Sequence, residues 1–332
     1  MTRVARPTTM SDRTLNRLII ALVAILVVGG LAITAIYVSD RWMPHGTTVV
    51  DRQTAALEAA VKQQPNNLNV RLQLAGAYMA GKRYDDAIAQ FNAVLGIQPK
   101  YKSALLGRGQ AYRATGTVDK AATDFQAVID MTKDSEFAKE DTELAQAYYS
   151  LGAVRIAQNR PADAIDPLLA AFANNNTDAD TLYLLGDAYT MTNEWSKAIG
   201  ALRDAVTFVP TGWPDPYTTL AKAYAGNGQP EEAAWATAMA LVAAKQTDEA
   251  INALKGLTSG PAATDAKVGL GLAFELQGDP KSAAGWYRQA LTARPDDLNA
   301  QAGLSRVAPS PSTGASPQSS LAVPSPTAAG SN

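Results

Sequence analysis

Few side chains in this 332-residue sequence could do acid–base or nucleophilic chemistry. There is no Cys, which excludes thiolate catalysis, disulfides and Cys-ligated zinc. A single histidine, His45, is all the imidazole available for proton transfer near neutral pH, and it lies in a short loop with no catalytic companion. Adjacent carboxylates occur as Asp85-Asp86 and Glu231-Glu232. Each pair opens a stretch with helical spacing, where negative charge complements the helix dipole and needs no acid–base role. No P-loop, GxSxG, HExxH or strand-linked dinucleotide fingerprint is present. Net charge is −2, so no general excess of cations is available to neutralise phosphates. The sequence predicts no enzyme activity, no cofactor, no metal site, no nucleic-acid binding and no small-molecule substrate. The chemistry left is recognition of another protein.

The elements that would present such a surface are helical. The chain contains 63 Ala, 47% apolar residues and only 18% charged ones. Alanine loses no rotamer freedom in a helix and buries no polar atom.

Residues 18–38, LIIALVAILVVGGLAITAIYV, carry no charge. As a helix they would span ~31 Å, the thickness of a bilayer's hydrocarbon core. A cleaved signal peptide would have a shorter apolar stretch and a small-x-small site, and Tyr37-Val38-Ser39-Asp40 is a poor one. The reading is a retained transmembrane anchor at 18–38, with an N-terminal segment at 1–17 and a juxtamembrane linker at 39–50. Arg3, Arg6, Arg13 and Arg17 precede it, against Arg41 and Arg52 close behind. That bias predicts a cytoplasmic N-terminus and an extracytoplasmic body at the plasma membrane.

The body repeats itself. Tyr78, Ala87 and Phe91 recur 34 residues later as Tyr112, Ala121 and Phe125. Gly152, Ala164, Leu168 and Ala171 recur as Gly186, Ala198, Leu202 and Ala205. Within Leu74–Pro99, an apolar face at helical spacing, a Gly-Lys-Arg turn, a second apolar face and a closing proline follow in order.

These residues resemble the tetratricopeptide repeat (TPR) family, a 34-residue helix–turn–helix unit. On its register six units fall at 68–101, 102–135, 145–178, 179–212, 214–247 and 264–297. Position 8 is Ala75, Gly109, Gly152, Gly186, Ala221 and Gly271; position 20 is alanine in all six. Small residues at both positions imply close approach of the two helices of a unit. Position 11 is an aromatic ring in five units and Arg155 in the third. The resemblance implies an all-α solenoid over 51–308, with a capping helix at each end. The charged stretch 131–143 reads as an extension of a second helix. Ala250, Leu254 and Leu257 have the spacing of a further second helix without a first, so 248–263 is either a decayed unit or an interruption. Arg108 departs from a favoured leucine. The Pro/Ser-rich stretch 309–332 carries no charge and is expected to be a disordered tail.

In the family, positions 2, 5, 9 and 12 of the first helix usually point into a concave groove. Carried onto this sequence, that groove offers Leu72, Met79, Leu106, Tyr149, Ile156 and Tyr183 as an apolar strip, with Gln110, Arg113 and Asp187 as polar handles. Thr218, Lys222, Asp265, Val268, Leu272 and Glu275 would extend it. The basic clamp of chaperone-tail-binding members is absent, since Leu72, Gly76, Gly107, Gln146 and Ser150 stand at its positions. The resemblance therefore implies a membrane-anchored scaffold that holds a protein or peptide segment during assembly, maturation or secretion of an envelope complex. The alternative is an anchored targeting receptor with its repeats facing the cytosol.

Overall fold

The computed structural model describes residues 49–308 apart from 175 and 176. The expected anchor at 18–38, His45 and the tail at 309–332 lie outside the described residues. Among those described there are fifteen helices and no strand, and no helix is long and apolar enough to cross a membrane.

The chain divides into two compact units, one ending at Ala104 and the other beginning at Leu105. The first holds α1 (Val49–Gln63), α2 (Leu68–Ala80) and α3 (Tyr84–Ile97). The second, entered along α4 (Lys102–Ala114), continues through α5 (Val118–Thr132), α6 (Thr142–Ala157), α7 (Ala162–Asn174), α8 (Ala179–Met191), α9 (Trp195–Phe208) and α10 (Asp215–Gly226). It ends with α11 (Pro230–Ala243), α12 (Thr247–Lys255), α13 (Ala263–Leu276), α14 (Pro280–Ala293) and α15 (Leu298–Val307).

Each hairpin closes on one recurring turn. After the first helix a single residue adopts positive φ, as Lys82, Gly116, Asn159, Asn193, Gly228 and Gly278 do. The next backbone N–H then reaches back to the position-11 carbonyl, as in Arg83 N to Tyr78 O at 2.8 Å and Glu194 N to Tyr189 O at 2.8 Å. Several second helices start with acid or proline, such as Asp85 and Asp86 in α3, Glu231 and Glu232 in α11 and Pro280 in α14. Both choices suit a helix start, where N–H groups are unpaired and the dipole is positive.

Packing explains the small residues. A Cβ at Gly152 would come 2.5 Å from Leu168 Cγ, one at Gly109 2.6 Å from Phe125 Cε1, and one at Gly271 2.5 Å from Tyr287 Cε1. The residue facing position 8 is thus position 24, not the position-20 alanine. Those alanines fill a separate contact and are fully buried at Ala87, Ala121, Ala164, Ala198 and Ala283. Position-11 rings tie to the helix before them. Tyr78 donates to Glu58 at 2.8 Å within the first unit, and Arg203 donates to the Tyr224 hydroxyl at 3.1 Å in the second.

Two expectations change. The charged stretch after α5 does not extend that helix. α5 stops at Thr132, and successive tight turns follow, such as Ser135 N to Thr132 O and Ala138 N to Ser135 O. The segment has no apolar face to bury, and Phe137 is left 66% exposed.

The stretch 248–263 does have a first helix, and it is α11. The turn joining α11 to α12 is the same hairpin turn, with Lys245 at φ 62° and Gln246 N bonded to Leu241 O at 2.9 Å. In that register Ala238 and Ala250 take the two small-residue positions, and both are buried. α11 also touches α13, as α8 touches α10 and α13 touches α15, which is how the first helices of successive hairpins meet. One helix therefore closes the hairpin begun by α10 and opens the hairpin completed by α12. A helix with partners on two opposite sides must be apolar all round, and after Glu232 the sequence of α11 carries no charge.

Candidate functional site

In the second unit α6, α8 and α10 lie side by side as first helices. Tyr149 on α6 is half-buried over a hollow of 420 Å³ shared with Gln146, Asp141, Asp180 and Thr181. Burial raises the pKa of its phenol; Asp180 adds to the rise and Arg113 opposes it. Both charges therefore stand near the ring. Tyr183 on α8 is also half-buried, and burial again raises its pKa, helped by Asp187. It shares a hydrogen bond with Thr219 and meets Trp213 edge-on at 5.0 Å between ring centroids. Such a T-shaped pair fixes both rings.

Asp187 lies one helical turn beyond Tyr183. Burial raises its pKa, and the opposing influence is Lys222 on α10. No described residue hydrogen-bonds to it, so a partly desolvated carboxylate stands near the Tyr183 ring with only a nearby cation. The expected groove residues thus differ in their settings. Tyr149, Tyr183 and Asp187 gather on α6 and α8, with Arg113 beside Tyr149. Ile156 packs against the core. Leu106 and Gln110 are partly buried on α4. Leu72 and Met79 are partly buried on α2, in the first unit.

Trp213 is the aromatic that the repeat register passes over, because it sits between units as a single inserted residue. Its signal in the sequence is the Gly-Trp-Pro punctuation of the loop. There Gly212 adopts positive φ and its N–H bonds to Ala243 O at 3.0 Å.

Residues expected to continue this surface part company at α11. Thr218 and Lys222 border Ala233, Thr237 and Ala240 of that helix. Asp265, Val268 and Leu272 instead line a second hollow, of 150 Å³, with Trp235 and Met239 of α11 and residues of α9 and α15. Ala233 and Trp235 are two residues apart, about 200° around a helix. The shared helix separates the surfaces by using opposite faces. Charges around the second hollow are paired: Arg294 with Asp265 at 2.9 Å and Asp297 at 2.9 Å, Arg203 with Asp265 at 3.6 Å, and Arg306 with Glu275 at 2.7 Å.

Arg108 also finds its explanation. It makes a two-pronged pair with Asp124, at 2.8 and 2.7 Å, and Asp124 is only 4% exposed. The hydrogen bond it donates to this carboxylate raises the arginine's pKa, against the opposing effect of burial. The pair replaces an apolar contact inside the hairpin, so Arg108 is structural. Among the described residues no cluster of acidic or imidazole groups could hold a metal ion.

A family model for the tetratricopeptide repeat matches residues 98–136, 149–212 and 236–297, and a second for the same repeat matches 54–105. The chain belongs to the tetratricopeptide repeat family. The last TPR match begins inside α11, where the shared helix opens its second hairpin. Among solved structures, the TPR array is similar to that of YrrB, a TPR protein with an unusual peptide-binding site. Identity is 17% and the TM-score 0.50, over 61% of this chain and 99% of that one. It is also similar to MamA, with 26% identity and a TM-score of 0.48 over 55% and 94% of the two chains. A form of MamA from Desulfovibrio magneticus RS-1 gives 20% identity and 0.48 over 55% and 97%. No curated protein matches the chain significantly in sequence.

Proposed function

We propose that this TPR protein is a single-pass scaffold, anchored by 18–38 with its repeats on the outer side of the plasma membrane. It holds a segment of another protein on α6, α8 and α10 during assembly, maturation or secretion of an envelope complex. Tethering would confine scaffold and client to one surface and raise their effective concentration.

The observation that carries this reading is the row of Tyr149, Tyr183 and Trp213 beside a half-buried Asp187 with no hydrogen-bond donor. Aromatic rings offer large contact areas at low conformational cost, and they recur where peptides are held. An acceptor left waiting suits a donor brought by the ligand. Asp180 and Asp187 select a segment with apolar side chains and a Lys or Arg, the opposite of an acidic chaperone tail. YrrB is described as having a peptide-binding site, which supports the view that such a fold can hold a peptide.

The test is a crosslinking pull-down from native membranes, comparing the parent with Tyr149→Ala/Tyr183→Ala. The double change should release a specific partner while helicity by circular dichroism stays unchanged. Recovery of every partner at parental level would refute the assignment. Protease added to intact cells should digest the repeats; protection would place them on the cytosolic side and end the topology proposed here.

A further inference from the structure

The hairpin of α10 and α11 leaves open a groove that a helix fills elsewhere in the second unit. Side chains at position 24 are normally covered from two sides. Tyr287 of α14 lies against Gly271 of its own hairpin and against Gly303 of α15, the first helix that follows. Leu254 of α12 likewise meets Gly269 of α13. Both side chains are buried, as are Leu168 and Leu202 at position 24 of α7 and α9. In the hairpin of α10 and α11, position 24 is Thr237, and it is exposed. Position 20 is Ala233, only half-buried where the other position-20 alanines are fully buried. The shared use of α11 is the cause. The next first helix, α13, packs against Met239 on the other face of α11 and does not touch α10.

What remains is an open trough of 400 Å³, walled by Ala221 and Ala225 of α10 and by Ala233, Ala234, Thr237 and Ala240 of α11. The Thr237 hydroxyl is engaged within its own helix, donating to Ala233 O at 2.9 Å. Methyl groups on both walls let another backbone come close and leave the large side chains to be supplied by the occupant. An extended segment would set unpaired N–H and C=O groups against these apolar walls, whereas a helix satisfies its own. The only charge in the lining is Lys222, which is exposed and makes no ion pair among the described residues. We infer that α10 and α11 receive an amphipathic α-helix of a partner protein, its large apolar side chains seated between the alanines and an acidic residue set against Lys222. That helix takes the place of the missing first helix. The trough adjoins the aromatic surface proposed for the client but does not depend on it.

The probe is a fluorescein-labelled synthetic peptide of about 18 residues, an Ala/Glu helix with leucines at i, i+4, i+7 and i+11. Anisotropy with the purified full chain should show saturable binding. Thr237→Glu, at an exposed position, should weaken it about tenfold by setting a carboxylate against the leucines, with helicity by circular dichroism unchanged. Lys222→Glu should weaken the same peptide and favour a version with lysine in place of glutamate. A control peptide of identical composition, with its leucines at alternate positions, should not bind. Tyr149→Ala/Tyr183→Ala should leave the affinity at the parental value; a loss there would put the peptide on the aromatic surface and overturn the inference. So would absence of saturable binding, equal binding of the control, or indifference to Thr237→Glu. Self-association of the parent in sedimentation, abolished by Thr237→Glu, would give the trough to a second copy of the chain and overturn it as well.

Discussion

Gly152 and Gly200 are both helical glycines, yet they predict opposite outcomes. Gly152 faces fully buried Leu168, and a methyl there would lie 2.5 Å from the branching Cγ, which has no room to retreat. Gly152→Ala should destabilise the array by about 1–3 kcal/mol through overpacking. Nothing lies within 4 Å of a Cβ at Gly200. Gly200→Ala should therefore add up to about 1 kcal/mol from helix propensity alone. Shifts of the denaturant midpoint in opposite directions are the check. Asp124→Ala should cost about 3 kcal/mol on the same measurement, because it strands a partly buried Arg108. The glycines were legible in the sequence as a repeat at fixed spacing, but their contact was not. Spacing shows that position 8 must be small; only packing shows that Leu168, Leu202 or Tyr287 is what it must admit. The Arg108–Asp124 pair was legible only as a departure, since nothing in sixteen residues of separation announces a partner.

At the scale of the element, α11 is where reading by repeat was least complete. Ala250, Leu254 and Leu257 mark a second helix in the sequence, but its first helix is hidden there because the same residues also complete another hairpin. The physical sign was the near absence of charge around α11, which a helix exposed on one side would not tolerate. The terminal α15 gives a pH prediction. Glu275 is partly buried, which opposes its charge, but hydrogen bonds from Arg306 and Tyr287 outweigh this and hold its pKa below the ordinary value. A carboxylate with a lowered folded pKa stabilises the fold above its unfolded value, ~4.3, and that contribution fades as pH falls through the folded value. α15 should loosen first on acidification below about pH 4. Faster amide exchange across Ala300–Leu304, before exchange in α8, is the expected result. Glu275→Gln should remove most of that difference.

For the molecule as a recognition device, Asp187 is the residue at which stability and binding are set against each other. Burial raises its pKa, so its charge disfavours the folded state at neutral pH, and stability should increase as pH falls through the raised value. Asp187→Asn should therefore raise the unfolding midpoint at pH 7 while weakening a basic client about tenfold, the worth of one charge-assisted hydrogen bond. A purely structural Asp187 would show no such trade. The surface was half legible in the sequence. Tyr149, Tyr183 and Asp187 follow from the family register, whereas Trp213 lies outside any register. The division of the hollow surfaces follows from three-dimensional sharing of a helix that a linear alignment cannot represent.

The central claim, that a client segment lies against Tyr183, is tested most directly by replacing that residue with photo-crosslinking benzoylphenylalanine in the cell. Ser196, exposed on α9, serves as the control position. Irradiation should give one discrete protein adduct from Tyr183→benzoylphenylalanine, absent from the Ser196 control and reduced about tenfold by Asp187→Asn. No adduct, or the same adducts from both positions, would contradict it.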